Sequence, residues 1–408
     1  MTDASSPYIY ADNAATTPLS HAALDAMMPF LTETFGNPSG IHRIAREAAV
    51  ALDKARASVA GHLGAAPDEV YFTSGGSESD NWVLRGAVAR WRQRYGMQAP
   101  TRIVTSQIEH HAILHCCRAL ERVGVEVIYL PVDTEGRVSA ADLEAALDEA
   151  RSADRSQGLE MPPASLVSIM LANNEVGTIQ DIPALSAVAQ AHGVLFHTDA
   201  VQAVGHIPVD VRRLGVDALS LSGHKFHGPR GTGALVLRRD ISLPPLIEGG
   251  AQERGERAGT ENVAGIVGLA AALDEACSSL EERGAEVAAL RDRLMDRIVA
   301  EVPDMRITGA RDARLPGIAS FICHDVDGEL LVVLLDRAGV AAATGSACST
   351  GSTDPSHVIA ALGVTDPSWS HGALRLSLAD DVTNTDVDVL CERVPAAIRR
   401  ARVMSAMG

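Results

Sequence analysis

From residue 69 to 237 the chain alternates short apolar runs with amphipathic stretches, and no other feature restricts the fold as much. Strand-like runs lie at 69–73, 102–105, 125–130, 165–171, 194–198, 216–221 and 233–237. Helical patterns fill most of the gaps: one opening at 74–79 and running to about 94, then 111–123, 139–151 and 182–192. A short strand within 8–18 and helices at 22–34 and 44–63 precede them. Strands alternating with helices predict an α/β fold, a mostly parallel sheet with helices on both faces. Ligands of such sheets bind at the carboxyl ends of the strands.

The pattern changes after Leu237. A glycine-rich loop occupies 244–260, and a long helical tract follows from about 262 to 302, with Gly284 as its expected break. Strands near 316–323 and 372–378, a helix near 327–338 and a final helix at about 384–400 complete the chain. Thr385 and Asp388 read as a capping box for that last helix, and Pro395 as a kink or break in it. The expected division is a large domain at 17–270 and a smaller α/β domain formed by 1–16 and 271–408.

Composition excludes some functions. Aromatics are only 3%, so the core must be mostly Ala, Val, Leu and Ile. A net charge of -17 argues against a nucleic-acid backbone as a direct partner. No apolar run is long enough to span a bilayer, so no membrane is expected. The N-terminus shows neither the basic nor the apolar region of a signal peptide. The six cysteines have no CxxC and no metal-ligand spacing, and read as reduced thiols of a cytoplasmic protein with no metal site.

Four strand ends carry chemistry. Ser222-Gly223-His224-Lys225 follows the run at 216–221. Of 35 Lys+Arg, only Lys54 and Lys225 are lysine, and Lys54 sits in a charged helical pattern. An amine can condense with a carbonyl where a guanidinium cannot, although a lysine here could equally bind phosphate or form an ion pair. Thr73-Ser74-Gly75-Gly76-Ser77 is a strand-to-helix turn able to bind an anion, or an ordinary capped helix start. Asn173-Asn174-Glu175 ends the run at 165–171. Asp199 closes the run at 194–198, where a buried carboxylate needs a partner unless it merely caps a helix. An anion cradle, a strand-end carboxylate and a strand-end amine on one sheet edge are what pyridoxal phosphate requires.

The sequence resembles the cysteine desulfurases, in the class V aminotransferase branch of fold-type I pyridoxal-phosphate enzymes. The matching stretches are Tyr10 to Pro18, Phe35 to Ser39, Phe72 to Asn81, Glu109-His110-His111, Asn173 to Gly177, His197 to Gln202, Ser222 to Lys225, Gln252 to Asn262 and Gly345-Ser346-Ala347-Cys348. The resemblance implies a seven-stranded, mostly parallel sheet flanked by helices in the large domain. It implies that Lys225 holds the cofactor as an imine and later moves protons, that Asp199 pairs with the ring nitrogen, and that His110 stacks on the ring. Gly76, Ser77, Ser222 and His224 would bind the phosphate. Gln202 would contact the ring hydroxyl, and Asn174 the ring oxygen and substrate carboxylate. Arg375 would clamp the substrate carboxylate, with Asn37 nearby; by itself Arg375 reads as an exposed strand-edge arginine. Thr260 would reach the phosphate of a neighbouring subunit, implying a homodimer.

Cys348 sits among small residues, in a loop at about 344–356, whereas the other cysteines lie in apolar patterns. It resembles the family's persulfide-carrying nucleophile, on a loop that must reach substrate and then an acceptor. The implied reaction takes sulfur from L-cysteine, leaves L-alanine, and passes the sulfur to an acceptor protein such as an iron–sulfur scaffold or a thiolation enzyme. The alternatives are another fold-type I enzyme, a selenocysteine lyase or an aminotransferase, and a non-catalytic scaffold subunit. Two positions depart from the family: Ala379-Asp380 stands where Gly-Arg is usual, and Gly249-Gly250-Ala251 where three glycines are.

Overall fold

The computed structural model describes residues 8–345 and 355–405. The chain enters through β1 (Ile9–Tyr10) and then builds a central sheet from β2 (Val70–Thr73), β3 (Arg102–Ser106), β4 (Glu126–Leu130), β5 (Leu166–Ser168), β6 (Leu195–Asp199), β7 (Ala218–Ser222) and β8 (Gly233–Leu237). The spatial order is β2-β8-β7-β6-β5-β3-β4. Only β8 runs against its neighbours, β7 and β2. The other six strands therefore point the same way, and their carboxyl ends share one edge.

Both faces of this sheet are covered, as a parallel sheet demands, and the period of two sorts the side chains. Val104, Val167, Phe196, Leu219 and Val236 join one core cluster. Their neighbours in sequence, Ile103, Leu166, Ala218 and Leu237, join the cluster on the opposite face. The helices that cover the sheet carry apolar stripes of matching period. Helix Arg43–His62 buries Ala45, Ala48, Leu52, Ala55 and Val59, the three- and four-residue spacing of one helical face.

The remaining chain forms β9 (Met305–Ile307), β10 (Ile318–Cys323), β11 (Val340–Ala341) and β12 (Ala373–Ser377). β12, β10 and β9 make an antiparallel sheet, in that order. Its core combines Phe321 and Leu376 with Val287 and Leu294 of helix Leu280–Glu301 and Val394 of helix Asn384–Ser405. β1 pairs in parallel with β11, so Ile9 and Ala11 enter this second core.

Three local expectations are corrected. The helical tract after 262 breaks not at Gly284 but at Ser278–Ser279, where the axis turns by 70° between helix Val263–Cys277 and helix Leu280–Glu301. Ser279 leaves helical geometry there (φ -139°), while Gly284 stays inside the second helix. The capping box of the last helix uses Thr383 and Asp386, whose hydroxyl and carboxylate exchange backbone bonds. Asp388, one turn further on, instead pairs with Arg293 and Arg297. That last helix runs through Pro395 without a break. Among the described residues no single helix is long and apolar enough to cross a membrane.

Candidate active site

The shared strand edge opens into a cavity of about 560 Å³. Each wall comes from a different strand end. Ser74 to Ser77 follow β2 and His110 follows β3. Asn174 follows β5, Asp199 ends β6, Ser222 ends β7, and His224 and Lys225 follow it. Gln202 and Arg375 also line it. The turn at 14–16, reached directly after β1, closes one side.

The anion end is built from backbone. Helix Gly76–Tyr95 begins with Gly75 at φ 152°, and its N-cap makes no side-chain hydrogen bond. A side chain at Gly76 would collide with Val201, its Cβ coming within 2.4 Å of the valine methyl. Glycine there lets the helix N-terminus approach the end of β6, with its positive end towards the cavity. Arg257 pairs with Glu78 at 2.8 Å and ties the loop before Thr260 to this helix.

Asp199 faces the middle of the cavity. Burial pushes its carboxyl up to about 6, against the pull of the Val201 N–H and of Lys225. Two more buried carboxyls feel its charge, Asp80, which also lines the cavity, and Glu109. Asp80 is raised by burial and by Asp199. Glu109 is pushed up to about 8 by burial, although it accepts from Ser106 at 2.5 Å and from the Met170 N–H. Negative charge on Asp199 raises both Asp80 and Glu109, so ionisation of one disfavours that of the others.

Lys225 Nζ donates to the carbonyls of Ala14 (2.6 Å) and Ala15 (2.9 Å). Gln202 also donates to the Ala14 carbonyl, at 2.9 Å. His110 caps helix His111–Glu121, its Nδ1 accepting from the Ala112 N–H at 3.1 Å. That bond places the ring's proton on Nε2. Burial, then the Lys225 charge and the rings of His357 and His115, push it down to about 4, so the imidazole is neutral at pH 7. His224 is likewise lowered to about 4 by burial, Lys225 and Arg230.

Arg375 is only 2% exposed, which overturns its reading as an exposed strand-edge residue. It donates to Asp12 at 2.7 Å and to the Asn174 carbonyl at 2.8 Å. Its Nε has no hydrogen-bond partner among the described residues. A carboxylate in the cavity is the chemistry this guanidinium can still serve.

Two expected site residues lie elsewhere. Asn37 is exposed and accepts from the Ser39 N–H in its own turn, and Thr260 is exposed at the end of the glycine-rich loop. Neither lines the cavity. Cys348 falls outside the described residues, but Gly345 and His357 both line the cavity. The five described cysteines are buried or half-buried, and burial raises every one of their thiols. Residues not foreseen at the cavity include Thr16, His111, Arg230 and His357. Arg230 had a local signal, a cation in the Gly/Pro-rich loop just after Lys225.

The donor set fits pyridoxal phosphate: a helix N-terminus for the phosphate, a buried carboxyl at mid-cavity, a neutral imidazole and an amine. The fold and site are those of a fold-type I pyridoxal-phosphate enzyme. The family model for class-V aminotransferases matches residues 9–390. A cysteine desulfurase IscS from Methanosarcina thermophila is 46% identical, across 98% of this chain and 94% of its own length. The solved structure of a NifS-like protein matches with a TM-score of 0.86 and 35% identity, over 96% of this chain and 100% of that one. A structure described as SspA in complex with cysteine matches with a TM-score of 0.76 and 34% identity, over 91% of this chain and 98% of that one. The chain belongs to the class-V aminotransferase family and, within it, to the cysteine desulfurases.

Proposed function

We propose that this protein takes the sulfur of L-cysteine onto Cys348, releasing L-alanine and leaving a persulfide for transfer to an acceptor protein. The observation that carries this is the convergence of Lys225, Asp199, His110 and Arg375 on one cavity, with the chain leaving and returning on either side of Cys348 at its rim. In the sequence Cys348 follows Gly345, which lines the cavity, by three residues.

Pyridoxal phosphate, when bound, supplies an electron sink for negative charge at the substrate's Cα. Gly76, Ser77, Ser222 and His224 would hold its phosphate, Asp199 would pair with its ring nitrogen and Gln202 would meet its ring hydroxyl. His110, neutral and half-buried, would pack on the ring. Lys225 would supply the amine that anchors the aldehyde, and would afterwards carry the proton removed from the substrate's Cα and return it there. Arg375 and Asn174 orient the substrate carboxylate. The Cys348 thiolate attacks the substrate's sulfur; the Cβ–S bond breaks and an S–S bond forms. The electron pair of the broken Cβ–S bond stays with the carbon fragment; one proton delivered to Cβ and one returned to Cα complete L-alanine, so atoms and electrons balance without an added oxidant.

A homodimer belongs to this reading. Leu24, Met28 and Leu31 expose one face of helix His21–Thr32, and Phe35 (71% exposed) and Ile41 (90%) extend it. Thr260, exposed and away from its own cavity, is then available to a partner's phosphate. We place the division between the units near 270, with the N-terminal residues and the Cys348 loop in the smaller one.

The test is alanine and sulfide production from L-cysteine under reductant. Lys225→Ala should abolish both and lose the visible absorbance of bound cofactor. Cys348→Ser should keep the absorbance and lose sulfur release. Wild-type turnover by Cys348→Ser would remove Cys348 from the reaction.

A further inference from the structure

Asp380, one of the two residues that depart from the family after Leu378, faces the other unit. Its Oδ1 is 3.5 Å from His206 Nδ1 and its Oδ2 is 3.6 Å from His227 Nε2. Arg283, on helix Leu280–Glu301, approaches the same Oδ2 at 3.7 Å. All four side chains are mostly buried, at 20–24% exposure. The far nitrogens of both rings reach main-chain carbonyls: His206 Nε2 that of Lys225 (2.9 Å), and His227 Nδ1 that of Pro18 (3.0 Å). A carbonyl only accepts, so each of those nitrogens carries a hydrogen. A neutral imidazole has no second one. A neutral His227 would therefore turn a bare lone pair towards the Asp380 carboxylate, whereas the imidazolium turns an N–H.

The two carbonyls belong to the segments that hold the Lys225 amine. Thr17 N–H donates to His224 O at 3.0 Å, His227 N–H donates to Thr17 Oγ1 at 2.8 Å, and Ser20 N–H donates to His227 O at 2.9 Å. Between these stitches Lys225 Nζ rests on the carbonyls of Ala14 and Ala15. Asp380 also lies five residues beyond Arg375, on the chain leaving β12. The chain that presents the carboxylate clamp thus also braces the amine.

We propose that Asp380 is a positioning residue for Lys225: its carboxylate holds the His206 and His227 rings against the Lys225 and Pro18 carbonyls and so fixes the turn that aims the amine. This rests on Lys225 being the cofactor-bearing amine. The charged groups facing the carboxylate are His206, His227 and Arg283; Asp381 adds its field at His227. Burial opposes charge on Asp380, yet the two rings and Arg283 outweigh it and hold the carboxyl far below the ordinary range. His227 is raised by its pairing with Asp380. The brace is therefore complete below the ordinary histidine pKa and is lost as pH rises through the raised value of His227.

Three measurements on Asp380→Asn test this. In the cofactor-free protein, the His227 midpoint read by NMR should fall by about one pH unit. In the holoenzyme, the pH midpoint of the cofactor's visible absorbance should move. The kcat should fall about tenfold while KM for L-cysteine stays within about threefold, because Arg375 is intact. Asp380→Glu, which keeps the charge, should recover most of the kcat, and thermal melts confirm that each variant folds. An unmoved His227 midpoint overturns the ion pair. A moved midpoint with wild-type absorbance titration and kcat overturns the positioning role. Wild-type protein that takes up no pyridoxal phosphate overturns the Lys225 reading and the positioning role with it; the His227 titration, which needs no cofactor, separates that failure from the others.

Discussion

Asp199 shows how a single buried side chain ties binding to pH. Burial raises it to about 6, so below that pH the cofactor-free protein holds a neutral acid where a carboxylate is needed for a protonated pyridine. Affinity for pyridoxal phosphate should therefore fall as pH drops through about 6, by up to about tenfold per unit. Fluorescence titration of the cofactor-free protein between about pH 5 and 7 reads this slope, and Asp199→Asn should abolish it. At Arg375 the geometry is a planar fork lining the cavity, partly engaged by Asp12 and the Asn174 carbonyl. A lysine cannot reproduce it. Arg375→Lys should raise KM for L-cysteine by roughly 10- to 100-fold, the worth of one hydrogen bond to a charged group. A KM within twofold of wild type would mean the substrate carboxylate binds elsewhere.

At the scale of elements, stability and function rest on different contacts. Helix Arg43–His62 is locked to the glycine-rich loop by Arg56, which forms a bidentate pair with Glu253 at 2.7 Å and donates to the Val70 carbonyl. Glu253 in turn accepts from the Phe72 N–H, and it and Arg254 adopt positive φ, 45° and 62°. Removing one partner strands the other charge inside, so Glu253→Ala should cost about 3–5 kcal/mol in denaturant unfolding. The same change should loosen the loop that carries Thr260. Thr383→Ala, by contrast, removes a helix cap that is not part of the cavity lining. It should cost about 1 kcal/mol with kcat unchanged. These elements also show what the sequence could announce. Seven apolar runs flanked by helical periods are strong local signals. β9 and β11, of three and two residues, are too short to show alternation. The bend at Ser278–Ser279 carries no glycine or proline to mark it.

In the whole molecule, the exposed apolar face at helix His21–Thr32, Phe35 and Ile41 has no cover within the described chain. Burying a side chain such as phenylalanine or isoleucine stabilises an interface by about 1.5–3 kcal/mol. Replacing both Phe35 and Ile41 with aspartate should convert a dimer to a monomer in light scattering. Loss of Thr260 from a partner's site should then weaken cofactor retention. An unchanged mass would place the interface, if one forms, on another face.

Strand–helix alternation, the glycines of the 74–77 turn, the strand-end Asp199 and the rarity of lysine are local properties, and they are enough to predict an α/β sheet with a strand-to-helix turn able to bind an anion, a carboxylate and an amine on one edge. What only the tertiary structure decided are contacts between residues far apart in sequence. Arg375 alone reads as a surface residue until β12 buries it against Asp12, 363 positions away. Lys225 finds the carbonyls of Ala14 and Ala15 more than 200 positions back. Asp380 reads as a departure from a family pattern until folding sets it between two histidines. Local propensity is written residue by residue. The protonation state and aim of a side chain depend on what the fold packs around it, and no window along the chain contains those neighbours.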